Sequence, residues 1–332
     1  MPGAASAACA CATGPYALFM TRLLIVSVVA ALVLGCQDKQ PASTPASGLV
    51  QTDSSLPTPE QFSAQFSSFD SYWHQSKAEL TRYTLRQARY GETHDGEAVL
   101  IFVTEDFMPT LQVKQEQGES ENAVSVLKLN AHRRFYTGIY PYNVMTSSFT
   151  PASGTPTLKL SSTVQEWCGQ VYSQINRRPD GLHTLMHSYF QNEADQKTVL
   201  PDAALEDGLW ARIRIDPSSI EVGSREIVPA LDYIRMRHKA LRPYPAAVTR
   251  TEGVSTDLVD HPVSVLRVDY PALGRALAIY YEPAFPHIIQ AWEETEGPFR
   301  TTAVRTHAIM DDYWSHNSAN DASYREALGL EY

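Results

Sequence analysis

The chain reads as a mainly β protein, all-β or α+β, built on a large curved antiparallel sheet with an N-terminal helix and a short C-terminal helix. Three observations predict this. From Thr81 onward the apolar residues recur at intervals near two; short Gly/Pro turns separate these runs; and no regular alternation of strand and helix patterns, the mark of a parallel sheet, runs through the chain.

The elements follow in order. Thr58-Pro59-Glu60-Gln61 is a helix start, with Thr58 as N-cap, Pro59 in the first turn and Gln61 closing a capping box. Phe62, Phe66, Phe69 and Trp73, spaced by four, three and four, place four aromatics on one stripe of that helix for burial in the core. Residues 85–90 and 97–104 form a hairpin, for which Asp95-Gly96 is the turn signal. Further strands are expected at 124–130, 134–140, 157–161, 170–176, 182–190 and 209–216, with Arg177-Arg178-Pro179-Asp180-Gly181 as a turn. Residues 227–244 are mixed and could hold a short helix. Strands resume at 263–270, 276–282, 288–295 and 301–311, divided by Pro283-Ala284-Phe285-Pro286 and Glu296-Gly297-Pro298. A closing helix is expected at 321–328, capped by Asp321 and stopped by Gly329. Residues 58–332 would make a single β-rich domain, with two sub-lobes dividing near 217–262 as the alternative.

Composition narrows the function. With 43% apolar residues in 332, the chain can bury a large core. A formal net charge of −10 lacks the basic excess that phosphate binding needs, so nucleic acid is not an expected partner, and a basic face for anionic lipid is not expected either. Attachment to a membrane would then be covalent or inserted.

The N-terminal region supplies such a means. Met20-Thr21-Arg22 precedes an apolar run, residues 23–34, that is short for a transmembrane helix, and Gln37-Asp38-Lys39-Gln40 ends it. Val33-Leu34-Gly35-Cys36 resembles the bacterial lipobox, in which a signal peptidase cuts before a lipidated cysteine. That resemblance implies a signal peptide over 20–35, acyl chains on Cys36 as the membrane anchor, and a mis-assigned upstream extension over 1–19. Gln37 in place of an aspartate after the cysteine implies an outer-membrane destination, facing the periplasm. Residues 36–57, rich in Pro, Ser, Thr and Ala, read as the lipidated cysteine with a flexible tether. In the mature chain only Cys36 and Cys168 remain, so no intramolecular disulfide is expected.

Candidate chemistry is sparse. Cys168, in Gln165-Glu166-Trp167-Cys168-Gly169-Gln170, could serve as a nucleophile if a histidine lay near it, although a buried small apolar role is the more common fate of a free cysteine. His183 and His187 are four apart, the zinc-sharing interval on a helix, but on a strand they would lie about 13 Å apart. Glu293-Glu294-Thr295-Glu296 with Arg300, and Asp311-Asp312, could do acid-base work or hold a hard cation, although such clusters usually form a solvated rim. There is no phosphate loop, Gly-x-Ser-x-Gly elbow or Cys-x-x-Cys pair in the mature region. No catalytic residue, metal or cofactor is assigned.

Ala78-Glu79-Leu80-Thr81-Arg82-Tyr83, Gly91-Glu92, Glu97-Ala98-Val99-Leu100-Ile101-Phe102-Val103-Thr104-Glu105, Gly138-Ile139-Tyr140-Pro141-Tyr142, the Trp167-Cys168 segment and Leu205-Glu206-Asp207-Gly208-Leu209-Trp210 resemble an uncharacterised family of bacterial lipoproteins, sometimes labelled septum formation inhibitor Maf. The Maf pyrophosphatases open with a Ser-x-Ser-Pro-Arg-Arg type loop that is absent here, so no catalytic residue carries over. The resulting expectation is a periplasmic lipoprotein of unknown role, a non-enzymatic binding module for an apolar ligand or an envelope partner. The alternative is an envelope hydrolase or transferase using Cys168 or an acidic cluster.

Overall fold

The structure, a computed structural model, describes residues 56–116, 121–154 and 156–330. The expected upstream extension, signal peptide and Cys36, with all but the last two residues of the tether, lie outside the described residues. Among the described residues no helix is long and apolar enough to cross a membrane.

Two short helices open the fold, α1 (Pro59–Ser63) and α2 (Phe69–Trp73). The Thr58 capping box forms as expected, but a second box at Ser68 and Ser71 starts a new helix, so the single aromatic-striped helix is in fact two. Phe62 and Trp73 are buried, while Phe66 and Phe69 pack at the margin; Tyr72, outside the expected stripe, is fully buried.

The strands are β1 (Ala78–Arg89), β2 (Glu92–Met108), β3 (Val113–Lys114), β4 (Val124–Thr137), β5 (Tyr140–Pro151), β6 (Lys159–Glu166), β7 (Gly169–Arg178), β8 (Gly181–Ser188), β9 (Gln196–Leu200), β10 (Ala204–Leu205), β11 (Gly223–Val228), β12 (Tyr244–Val254), β13 (Val263–Tyr270), β14 (Arg275–Tyr281), β15 (Ile289–Glu296) and β16 (Phe299–Asp311). Between them lie α3 (Glu206–Ile215) and α4 (Leu231–Met236), and α5 (Tyr324–Ala327) closes the chain. All sixteen strands belong to one sheet, ordered β10-β11-β12-β13-β14-β15-β16-β1-β2-β4-β5-β6-β7-β8-β9, with β3 alongside β2. Every pairing is antiparallel except the two-residue contact of β10 with β11.

Connectivity shows that this sheet curls back on itself. Its two end strands, β9 and β10, are consecutive in the chain, and only Pro201, Asp202 and Ala203 separate Leu200 from Ala204. Four residues span at most about 14 Å, so the end of β9 and the start of β10 lie within that distance of each other, which a flat sheet of this width would not allow. Inward residues alternate along the wall: Leu160, Ser162, Val164 and Glu166 of β6 are buried, as are Val171, Ser173 and Ile175 of β7.

Helix α3 fills the enclosure. It touches β4 and β5, its Trp210 ring meets Trp292 of β15 edge-on at 5.1 Å, and its end residues bind β14 and β1. Contacts with strands on both sides of the ring are open only to a helix inside it. Residues 209–216, expected as a strand, are helical for that reason: Leu209, Trp210, Ala211, Ile213 and Arg214 are all buried, so no solvent face imposes a 3.6-residue pattern. A sequence signal was present in the acids of the first turn, Glu206 and Asp207, and the bases of the last, Arg212 and Arg214, which match the helix dipole.

Other boundaries moved too. The β1–β2 hairpin turns at Tyr90-Gly91, both at positive φ, and Asp95-Gly96 lies inside β2, paired with Arg86 and Leu85. Residues 124–130 and 134–140 merge into β4, followed by β5, which was not anticipated; neither was β12. The C-terminal helix begins as a 3-10 turn capped by Ser318, not Asp321, and ends at Gly329 with φ +62°. Its Ala327 and Leu328, with Leu56, cover Ala78, Leu80 and Ile309 on the outer face of β1 and β16.

Candidate functional site

Two places concentrate polar or unpaired side chains. The first is the interior, where three buried ion pairs fasten α3 and α4 to the wall. Glu79 of β1 accepts hydrogen bonds from Arg214, at 2.6 Å through Nη2, and from the Tyr72 hydroxyl at 2.7 Å. The Arg214 guanidinium also lies 5.0–5.1 Å from the ring centroids of Phe102 and Trp73. Glu206 accepts from Arg275 Nη1 at 2.6 Å and Nη2 at 2.7 Å, and from the Tyr270 hydroxyl at 2.6 Å. Glu166 accepts from Arg235 of α4 at 3.1 Å. Each guanidinium is buried with its carboxylate, which makes breaking one partner costly without making the pair strongly stabilising.

Beside these pairs lies a carboxyl-rich chamber of about 20 Å³, lined by Arg133, Ser148, Asp207, Trp210, Asp232 and Trp292 among others. Arg133 stands 2.8 Å from Glu294 and 3.3 Å from Asp232. Asp207 accepts the Leu231 N–H at 2.9 Å, capping the start of α4. Burial, with Asp232 nearby, pushes the Asp207 carboxyl up to about 8, and burial likewise raises Asp232. For Glu294, burial is outweighed by Arg133 and Arg275, which hold its carboxyl below the usual range.

The second place is the end of the sheet where the β1–β2, β4–β5, β6–β7 and β8–β9 connections lie. It is the far end of β1 from Leu56, about 40 Å along a twelve-residue strand. Tyr90, Ile139, Trp167 and Tyr189 project from these four connections, each at least 60% exposed. Tyr140 links Tyr90 to Trp167, and Tyr189 lies over the same β6–β7 turn. The Tyr90 and Tyr142 hydroxyls are 2.7 Å apart, Tyr140 donates to Tyr90 at 3.4 Å, Tyr140 stacks on Trp167 at 6.2 Å, and Tyr189 packs over Gly169, where a Cβ would meet its ring at 2.8 Å. Tyr189 meets Phe190 edge-on, and Phe190 meets His238. There the run opens into a groove of about 560 Å³ lined by Met186, Phe190, Glu193, His238 and Leu241. A second groove, of about 420 Å³, lies near the β9–β10 link, between Thr157, Arg177, Ala204, Arg212 and Arg225, with Leu209 of α3 among its lining residues.

The residues singled out from sequence do not meet in one site. Cys168 is exposed at the β6–β7 tip, not buried; Glu166 hydrogen-bonds its thiol and, as a nearby negative charge, holds it above the usual range. His183 and His187 both lie in β8 and pair with different carboxylates, Asp180 at 2.8 Å and Asp195 at 3.0 Å. The two acidic clusters divide by strand alternation. Glu294 points to Arg133 and Arg275, Glu296 to Arg237 and Tyr233, and Glu293 to Arg300. Asp311 is buried and pairs with His316 at 3.0 Å; with Asp312, their ligating atoms lie within 4.8 Å of one another. The interior acids Glu206, Asp207 and Asp232 were not foreseen, although acidic residues inside otherwise apolar segments were a visible signal.

The fold is thus a curled antiparallel sheet wrapped around a buried helix pair, with an aromatic end. No family model matches the chain, and no curated protein matches it. Among solved structures it is similar to a β-barrel-like protein of domain of unknown function DUF1849 from Brucella abortus, at a TM-score of 0.44 and 9% identity, covering 70% of this chain and 98% of that one.

Proposed function

We propose that this chain is a lipid-anchored, non-enzymatic binding module of the bacterial envelope, held at the periplasmic face of the outer membrane through acyl chains on Cys36 and taking an envelope partner on its aromatic end. The observation that carries the partner reading is that Tyr90, Ile139, Trp167 and Tyr189, large side chains at successive connections, are left in solvent, with the half-buried Tyr140 bridging Tyr90 and Trp167. Isolated exposed aromatics need no explanation, whereas a contiguous row of Tyr and Trp suits a contact surface. Photo-crosslinking residues placed at 139 and 167 in cells should capture a discrete partner, lost in a Trp167→Ala, Tyr189→Ala protein whose circular dichroism is unchanged. Equal capture from position 222, away from this end, would overturn the assignment.

An apolar ligand is the second reading. The interior chamber, at about 20 Å³, has room for little more than a water, so the 560 Å³ groove that continues the aromatic run is the better place for it. The hydrolase alternative is weaker: a nucleophilic thiol needs its acidity increased, and Glu166 decreases that of Cys168. For the anchor, metabolic labelling with a clickable fatty acid should mark wild type and not Cys36→Ala; unlabelled wild type would end that part of the reading.

A further inference from the structure

The chamber and the ion pairs around it hold more acid than their bases balance. Asp207 of α3 and Asp232 of α4 line the chamber with Arg133 of β4; beyond its wall Glu206 of α3 is bonded to Arg275 of β14 and to the Tyr270 hydroxyl of β13, and Glu294 of β15 meets Arg133 and Arg275, so four carboxyls share two guanidiniums. Glu206 and Glu294 take both guanidiniums at 2.6–2.8 Å. Asp207 receives one backbone N–H, and Asp232 receives the Tyr233 N–H at 2.7 Å and a longer approach from Arg133. Two buried anions in an apolar setting carry a desolvation cost that a bound cation or a proton can remove.

The lining decides between these. Leu100, Leu129, Val144, Trp210 and Trp292 make most of the chamber wall, and Ser148 and Thr146 are the neutral oxygen-bearing side chains on it. Thr146 is already bonded to Ser162 at 2.9 Å. A hard cation takes six or more oxygens, and the positive Arg133 shares the space. A proton needs only a carboxyl.

We propose that Asp207 and Asp232 hold one proton between them, and that this proton locks α4 against α3 inside the curled sheet. The lock is electrostatic. With the proton in place, Asp207 still accepts the first N–H of α4 and only one charge is left for Arg133 to meet; without it, two like charges are enclosed where α3 and α4 begin. The device is independent of what the aromatic end binds.

Asp207 titrates near 4 when unfolded and at about 8 when folded, so the folded state binds the extra proton between those values. The contribution is complete below about pH 4 and disappears as pH rises toward 8, at about tenfold in the folding constant per pH unit for one proton. Because other carboxyls act oppositely at low pH, the test is a difference. Urea unfolding of wild type and of Asp207→Asn, an uncharged mimic of the protonated acid, is measured from pH 5 to 9. Wild type should lose stability relative to the variant from pH 5 to about 8, and the two profiles should run parallel above that. Profiles parallel throughout would overturn the proposal. If the variant does not fold, carboxyl ¹³C shifts of labelled wild type serve instead: an aspartate midpoint above about 6 supports the lock, and the absence of any such midpoint refutes it. Stabilisation of wild type by calcium or sodium ions that is absent in Asp207→Asn would show that a cation, not a proton, fills the role.

Discussion

At the residue scale, the sharpest constraints come from contacts that leave no room and charges that leave no water. Gly96 has an ordinary backbone conformation, yet an added Cβ would stand 2.4 Å from the Arg134 carbonyl oxygen and 2.7 Å from Phe135 Cβ. The glycine that reads as a turn in fact lies within β2, opposite Phe135 of the paired strand β4, where the two backbones run close together. Gly96→Ala should therefore destabilise by about 1–3 kcal/mol through overpacking, visible as a lower urea midpoint. Arg214→Met should cost more, about 3–5 kcal/mol, because Glu79 would be left buried with only Tyr72 beside it. The double variant Glu79→Gln, Arg214→Met should recover much of that loss; a double variant as unstable as the single one would mean that shape, not charge, sets the cost.

At the element scale, local signals and the enclosure compete. The capping boxes at Thr58 and Ser68 act within their own turns and are read directly from sequence. Ser68→Ala should cost about 1 kcal/mol and shift amide exchange in α2 more than in α1. Helix α3 is the opposite case. Its Leu209, Ala211 and Ile213 alternate as a strand would, and only immersion on all sides makes a helix the better use of them. Gly208 shows how closely it is fitted, since a Cβ there would meet Thr157 Oγ1 at 2.0 Å. Gly208→Ala, normally favourable in a helix, should here lower the thermal midpoint. Unchanged or raised stability would show that α3 sits loosely.

At the scale of the described domain, the sheet closes through pairs far apart in sequence. β1 and β16 pair Ala78 with Asp311 and Arg86 with Thr302, and this contact joins the N-terminal strands to the C-terminal block. Truncation before Phe299 removes β16 and leaves β1 and β15 each with a bare edge inside the ring. The truncated chain should lose cooperative unfolding and aggregate, whereas truncation before Tyr324, which removes α5, should weaken only the outer cover of β1 and β16. Such long-range pairing also predicts slow refolding, in milliseconds to seconds or longer, by stopped-flow tryptophan fluorescence.

The mainly β class, most strand positions, the first capping box and the closing helix were legible before any coordinates because period-two patterning, caps and turn residues act over a few neighbours. The proposed anchor at Cys36 rests on the same kind of local signal, since a signal peptidase would read a short linear motif such as Val33-Leu34-Gly35-Cys36. Three things were decided only by the tertiary structure. The sheet's order and curl set which buried acid meets which base, the interior turned residues 206–215 into a helix, and four connections distant in sequence brought Tyr90, Ile139, Trp167 and Tyr189 to one end. The physical reason is common to all three, since burial and Coulombic energy depend on what surrounds a residue in space, and no local pattern carries that information.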